Sequence, residues 1–169
     1  MIVTILQHTP GWVWGLLIAL LTLGLLQTRT REVSRARVIA LPVAMIVLAL
    51  IGLLGAFGSF VVAYLAWAGG FALAARTLGA AAAVRGARWS GATGRILVPG
   101  SWLPLGLILG VFLTRYVANV CLALDPALAR NTVFAAACGL AYGGFSGLFW
   151  SRARSLRGSI PGWRAVAPA

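Results

Sequence analysis

The segment QTRTREVSRAR, residues 27–37, is the most informative part of the sequence because it sets four arginines and one glutamate between two long stretches without a charged side chain. Residues 1–28 and residues 38–75 contain no Asp, Glu, Lys or Arg. Uncharged apolar stretches of about 18 residues or more are typical of transmembrane helices. Because arginines in short loops resist translocation, the segment is predicted to be a cytoplasmic loop that holds the two flanking spans in place.

The composition of the whole chain agrees with a membrane protein. The 169 residues are 61% hydrophobic and 9% charged, and the net charge is +12, whereas a soluble domain has about a quarter of its residues charged. The arginines stand in short clusters between apolar stretches, as in loops beside membrane spans, and not as a continuous basic groove. We therefore expect no nucleic-acid partner.

The lengths of the apolar stretches, and the glycine and proline residues that interrupt them, predict five spans. Residues 38–75 as one helix would be about 57 Å long, nearly twice a hydrocarbon core of about 30 Å, so they must fold back at the glycines of residues 55–59. Thr9-Pro10 and Asp125-Pro126 each place a capping residue before a proline, which indicates a helix start. The predicted spans cover residues 10–27, 38–57, 60–80, 102–124 and 126–150.

The segments between and after the spans are polar. Residues 84–95 are predicted to be a short polar loop, and residues 152–169 a basic cytoplasmic tail with little order. Residues 1–9 either lie at the membrane interface or extend the first span.

The distribution of arginine predicts the orientation. With the N-terminus outside, every arginine except Arg115 and Arg130 falls on the cytoplasmic side, as the positive-inside rule requires. The predicted fold class is therefore all-α, a single integral membrane bundle of five transmembrane helices over residues 1–151, with the C-terminus cytoplasmic. We expect the inner arginines to contact anionic lipid headgroups, each worth about 1 kcal/mol near the surface.

Small residues recur at every fourth position in the fourth and fifth spans. Such faces mark where two helices approach closely in lipid. We expect the fourth and fifth spans to pack as an antiparallel hairpin along these faces, although a partner or a second copy of the chain could use them equally. The residues are Gly106, Gly110, Thr114 and Ala118, and Ala135, Gly139, Gly143 and Gly147.

One candidate polar cluster can be assembled, from Arg115, Asn119, Asp125 and Arg130. Arg115 lies in apolar sequence with Asn119 one turn further on, and Asp125 and Arg130 are expected at a similar level. Ionisable groups at membrane depth usually face a bundle interior or water. The cluster either holds an anionic group or lines a pathway, or Arg115 extends outward and pairs with Asp125 or a lipid phosphate.

Groups for catalysis are scarce. The chain has one histidine and two acidic residues, whereas general acid–base and nucleophilic catalysis need such groups in combination. His8 alone makes a poor metal site, because stable sites need several ligands. Cys121 and Cys138 are expected at different depths and therefore unpaired. We predict no enzyme, no cofactor and no metal.

The N-terminal third shows a resemblance. HTPGWVWGLL followed by LGLLQTRTREVSRAR, within residues 8–37, resembles a family of small uncharacterised bacterial inner-membrane proteins with a His-Thr-Pro-x-Trp-Val opening and a Gln-Thr-Arg-x-Arg-x-Val-Ser loop. The resemblance implies a multi-pass membrane protein without an assigned activity, and it carries over no catalytic or binding residue.

The functional expectation follows from these features together. We expect a non-enzymatic component of the bacterial inner membrane that works as a subunit beside a protein partner or a second copy of itself. The alternative is a small transporter or channel for an anionic or neutral solute, with Arg115 in its path.

Overall fold

The computed structural model describes residues 11–91 and 93–159, and these are mostly helical. The helices are α1 (Gly11–Leu26), α2 (Arg35–Phe57), α3 (Val61–Thr77), α4 (Gly79–Ala82), α5 (Leu103–Leu124) and α6 (Thr132–Gly158), with a 3-10 helix at Pro126–Arg130. Three short strands accompany them, β1 (Arg31–Val33), β2 (Arg88–Ser90) and β3 (Arg95–Val98). The predicted start of the first span at Pro10 and the region around His8 lie outside the described residues.

Three helices, α2, α5 and α6, are long and apolar enough to cross a membrane. The helices α1 and α3 are apolar but shorter, with 16 and 17 residues or about 25 Å each. The predicted helical character is thus confirmed, together with a membrane-spanning length for three helices.

A small antiparallel sheet corrects the all-helical prediction. Its strand order is β1-β3-β2, with Glu32 opposite Leu97 and Trp89 opposite Ile96. Residues 84–95 are therefore not simply a polar loop, because β2 and the start of β3 lie within them. The strands are only three or four residues long, and β1 pairs with a strand some sixty residues further along the chain, so local periodicity gave little signal.

The sheet has a hydrophobic core of its own. Alternate residues of β3, Ile96 and Val98, point into this core together with Val33 of β1. It also contains Val38 from the start of α2, and Ala153 and Leu156 from the end of α6. This end of the molecule is called the sheet end below.

The sheet core also corrects the prediction that the tail has little order. Residues 152–158 form the last two turns of α6, and burial of Ala153 and Leu156 against the sheet keeps them helical. Residues 160–169 lie outside the described part.

The small-residue face of α6 packs against α3, and the prediction that it meets the fourth span was wrong. A Cβ added at Gly139, Gly143 or Gly147 would clash with successive carbonyl oxygens of α3. These oxygens belong to Ala63, Trp67 and Phe71. Because the residue numbers along α6 and along α3 increase in the same direction at these contacts, the two helices run parallel. The spacing identified a close-packing face, but it could not identify the helix on the other side.

Helix α5 has looser contacts with α6. A Cβ at Gly110 would lie 2.7 Å from the Phe145 ring, whereas one at Gly106 would have no atom of another helix within 4 Å. The small-residue series of α5 is therefore not a continuous contact face.

A second core lies toward the end opposite the sheet. It contains Leu53 and Phe57 of α2, Ala63 of α3, Ala118 of α5, and Ala135, Cys138 and Tyr142 of α6. The Phe57 and Phe134 rings lie 6.0 Å apart beside it. Four helices thus contribute to one core, which fixes the turns between them at this end.

At this end the fold-back between α2 and α3 agrees with the prediction, whereas the predicted start of the last helix needs a correction. The chain folds back between α2 and α3 at Gly58, within the expected segment, and Gly58 adopts a φ of +57° that favours glycine. Asp125 caps only the 3-10 helix, its carboxylate accepting from the Ala127 N–H at 3.0 Å. Helix α6 begins later, at Thr132, because Asn131 supplies a second N-cap by accepting from the Phe134 N–H at 3.0 Å.

Candidate functional site

The structure brings two members of the predicted polar cluster together on α5. The Asn119 side-chain amide donates to the Arg115 carbonyl at 2.9 Å, one helical turn away. The Arg115 guanidinium lies beside α2, where its Cζ would be 3.4 Å from a Cβ added at Gly52. Its charge also acts on the Tyr142 phenol of α6. Arg115 thus stands at the junction of three helices, with its side chain exposed.

Asp125 and Arg130, the other two members, lie at the end of the molecule opposite the sheet. Both are exposed at the two ends of the 3-10 segment. Within the described part of the chain, neither forms a hydrogen bond or an ion pair with Arg115 or with the other. The four residues therefore do not form one connected group.

The remaining groups considered for chemistry are dispersed. Cys121 and Cys138 are free thiols, the first half-buried and the second buried. Among residues 11–91 and 93–159, no three His, Cys, Asp or Glu side chains stand close enough to hold a metal ion. The single histidine, His8, lies outside these residues.

The structure reveals a site that sequence reasoning missed, a cleft of about 440 Å³ at the sheet end. One wall is formed by α4 and the residues that follow it, including Arg85. The opposite wall is the segment after β3, residues 99–101, and Arg152 of α6 completes the lining. We call this the basic cleft.

Backbone contacts hold the second wall in position. A Cβ at Gly100 would clash with the Thr28 carbonyl oxygen, so glycine permits this close approach. The next residue, Ser101, donates its backbone N–H to the Gln27 carbonyl at 3.2 Å. The Ser101 hydroxyl oxygen accepts from the Leu103 N–H at 3.3 Å, so the hydroxyl hydrogen can be donated elsewhere.

The first wall is tied to α6. The Val84 N–H donates to the Ser155 hydroxyl oxygen at 3.0 Å, and the Ser151 hydroxyl donates to the Ala75 carbonyl at 3.4 Å. The first contact holds the segment after α4, which carries Arg85, beside the last turns of α6, and the second joins the end of α3 to α6. Residues distant in sequence therefore meet around one cavity.

The arginines around the cleft lack acidic partners. Arg152 is half-buried, and Arg31 is near enough for the two positive charges to interact. Burial, followed by the charge of Arg37, lowers the pKa of the Arg31 guanidinium, which donates to the Gln27 amide oxygen at 3.0 Å. Neither Arg85 nor Arg152 forms a hydrogen bond or an ion pair with a described residue.

The two acidic residues of the chain are engaged elsewhere. Glu32 pairs with Arg95 on the exposed side of the sheet, with a nitrogen–oxygen distance of 3.9 Å, and Asp125 caps the 3-10 helix at the opposite end. Every described arginine except Arg115 and Arg130 lies at the sheet end. The sheet end is consequently strongly basic, and Arg35 adds a guanidinium stacked 4.3 Å over the Trp89 ring.

The sequence contained a partial signal for the cleft. Arginine clusters in the two loops and the tail were expected on the same side, but the first loop and the tail are separated by more than a hundred residues. Which arginines share a cavity depends on the packing of α4 and α6 against the sheet. Sequence spacing carries no information on that packing.

These features define a mostly helical protein in which three helices are long and apolar enough to cross a membrane, with a small basic sheet at one end. The chain belongs to the family of unknown function DUF6622, whose model matches residues 1–166. The expectation of an uncharacterised family is thereby confirmed. No curated protein and no solved structure matches the chain.

Proposed function

We propose that the chain is a multi-pass protein of the bacterial inner membrane, with five transmembrane helices, the N-terminus outside and the sheet end in the cytoplasm. The observation that carries this proposal is the segregation of charge. All described arginines except Arg115 and Arg130 gather where the apolar helices meet the sheet. Arginines in short loops accumulate on the cytoplasmic side.

The two shorter helices are compatible with five spans. At about 25 Å, α1 and α3 fall slightly below a hydrocarbon core of about 30 Å, and local bilayer thinning or flanking long side chains accommodate such a mismatch. Arg76 in the last turn of α3 is suitably placed to extend its guanidinium to the headgroups.

Within the membrane we propose a non-enzymatic role as a subunit that binds a protein partner or a second copy of the chain. Helix α2 exposes a series of large apolar side chains, including Leu48, Ile51 and Leu54. The close-packing face of α6 is already occupied by α3, so a partner helix would contact other apolar faces. The scarcity of histidine and acidic residues supports a role without catalysis.

Reporter fusions test the orientation. A reporter active only in the cytoplasm should give signal when inserted at Thr93, between β2 and β3, and none at Gly58, between α2 and α3. The reverse pattern would exclude the proposed topology. Extraction in a neutral detergent, followed by quantification of co-purifying proteins and of oligomer mass, tests the subunit role; a monomer without a stoichiometric partner contradicts it.

A second function, a small transporter or channel for an anionic or neutral solute, is favoured by the position of Arg115. This guanidinium lies in apolar sequence beside Gly52, and its charge acts on Tyr142 of a third helix. Charged groups within spans commonly mark solute paths. Solute flux into vesicles should then fall in Arg115→Ala and remain unchanged in Arg130→Ala, whose side chain lies at the end opposite the sheet. Equal flux in wild type and Arg115→Ala excludes this function.

A further inference from the structure

We propose that the basic cleft is a binding site for a phosphate group, held between Arg85 and Arg152. The phosphate is supplied either by a lipid headgroup or by a free phosphate ion. The lipid source rests on the proposed membrane placement, whereas binding of free phosphate does not.

The first argument is the missing counter-charge. Arg152 is half-buried beside the like charge of Arg31, and neither of them forms an ion pair with a described acidic residue. Removing a charge from water is unfavourable unless an opposite charge compensates. Because Glu32 pairs with Arg95 and Asp125 lies at the opposite end, no described acidic residue supplies a compensating charge for Arg152, and a bound anion would supply one.

The second argument is the set of donors that faces the cleft. Arg85 and Arg152 both line it, and neither has a hydrogen-bond partner among the described residues. The planar fork of arginine matches two phosphate oxygens at once. Ser101 adds a hydroxyl whose oxygen is already oriented by the Leu103 N–H, which leaves its hydrogen to donate to a third oxygen.

The third argument is the volume of the basic cleft and the composition of its lining. A volume of about 440 Å³ lies within the range of roughly 300–1,000 Å³ found for small-molecule sites. The remaining lining is largely apolar, from Ala80, Ala81, Val84 and Pro99. An apolar wall beside two arginines suits a phosphate ester with a short carbon backbone. The cleft also lies where the apolar helices end, which is headgroup level in the proposed topology.

Calorimetric titration of the full chain in a neutral detergent tests the proposal with two probes, inorganic phosphate and short-chain phosphatidylglycerol. Wild type should bind at least one probe, and the double variant Arg85→Gln/Arg152→Gln should bind it at least tenfold more weakly. The matched control is Arg88→Gln/Arg154→Gln, which removes the same charge from exposed positions at the same end but outside the cleft. The control should retain affinity within twofold.

The two probes separate the sources of phosphate. Binding of inorganic phosphate supports a site for the free ion, and binding of the lipid alone supports a headgroup site. The inference is overturned if wild type binds neither probe, or if the control loses as much affinity as the cleft variant. Arg85→Gln alone changes one exposed side chain without a packing role, so a loss of threefold or more is expected from it even if the double variant fails to fold.

Failure of the site and failure of the proposed membrane orientation are distinguishable. Reversed reporter signals at Gly58 and Thr93 with intact phosphate binding would reject the orientation and keep the site. Correct reporter signals without binding would reject the site alone.

Discussion

Gly143 on α6 has no room for a side chain, because a Cβ there would meet the Trp67 carbonyl oxygen of α3. The neighbouring Gly144 is different, since a Cβ added there meets nothing within 4 Å. The absence of one side chain therefore determines how closely the backbones of α3 and α6 approach. In the proposed membrane placement this approach would be the main attraction between the two helices, because close van der Waals contact drives helix association in lipid.

Replacing Gly143 with alanine should therefore lower the free energy of unfolding by about 1–3 kcal/mol, the usual cost of overpacking. The obstructing atom belongs to the backbone, so the α3–α6 pair must separate to accept the methyl group. The measurement is thermal unfolding in detergent. Gly144→Ala is the control and should melt no lower than wild type, because alanine favours a helix more than glycine does; equal melting of the two variants would contradict the close packing at Gly143.

Two nearby residues, Asp125 and Asn131, could each cap the start of α6, and the helix begins after the second. Asp125 followed by Pro126 is a strong start signal, yet it initiates only the 3-10 segment. Asn131 caps the α-helix, and its position lets Ala135 and Cys138 enter the core. A cap signal thus gives a start site only when the residues after it can also be buried.

Asn131→Ala should destabilise the protein by about 0.5–2 kcal/mol, because the Phe134 N–H loses its acceptor. Hydrogen exchange should rise in the first turn of α6. Asn131→Asp keeps the acceptor and should restore protection of this turn. If the alanine variant exchanges no faster than wild type, the cap does not stabilise α6.

The turn between β2 and β3 depends on one glycine. Gly94 has a φ of +63°, a conformation that costs a residue with a Cβ about 1–2 kcal/mol, and its N–H donates to the Ser90 carbonyl at 2.9 Å. Gly94→Ala should therefore loosen the hairpin, as measured by exchange of the β3 amides. Gly91→Ala, in the same turn without a positive φ, should leave the β3 amides protected. Similar exchange in both variants would show that the turn tolerates alanine at Gly94.

At the scale of the molecule, the sheet joins segments that are far apart in sequence. Its core takes Val33 from β1, Val38 from α2, Ile96 from β3 and Leu156 from α6. The ends of two long helices are thereby fixed to the loops, and the basic cleft forms beside them. Loss of the sheet should affect the cleft without affecting the core at the opposite end.

Ile96→Ala should lower stability by roughly 2–5 kcal/mol, since Ile96 is fully buried and the substitution leaves a cavity. Leu97 is 41% exposed on the other face of the same strand, so Leu97→Ala should have a much smaller effect. The measurements for both variants are unfolding in detergent and protease sensitivity at the sheet end. Equal losses would indicate that the sheet core does not support this end.

Most of the helices could be predicted from the sequence, but the candidate site could not. The fold-back near Gly58 and the apolar extent of α2 and α5 follow from local composition, because the length of a helix and the position of a turn depend on neighbouring residues. The pairing of β1 with β3 and the placement of Arg85 and Arg152 around one cleft bring together segments that are distant in sequence. The proposed cluster around Arg115 failed to form one group because equal depth along two helices does not imply contact.

The apolar helices and the concentration of arginine in their connections follow from local composition, since both are properties of short stretches. The packing of α6 on α3, the helical continuation of residues 152–158, and the sheet with its basic cleft depend instead on contacts between distant segments. A run of residues fixes which face of a segment can be buried or closely packed. The partner for that face is selected by the fit of the whole chain.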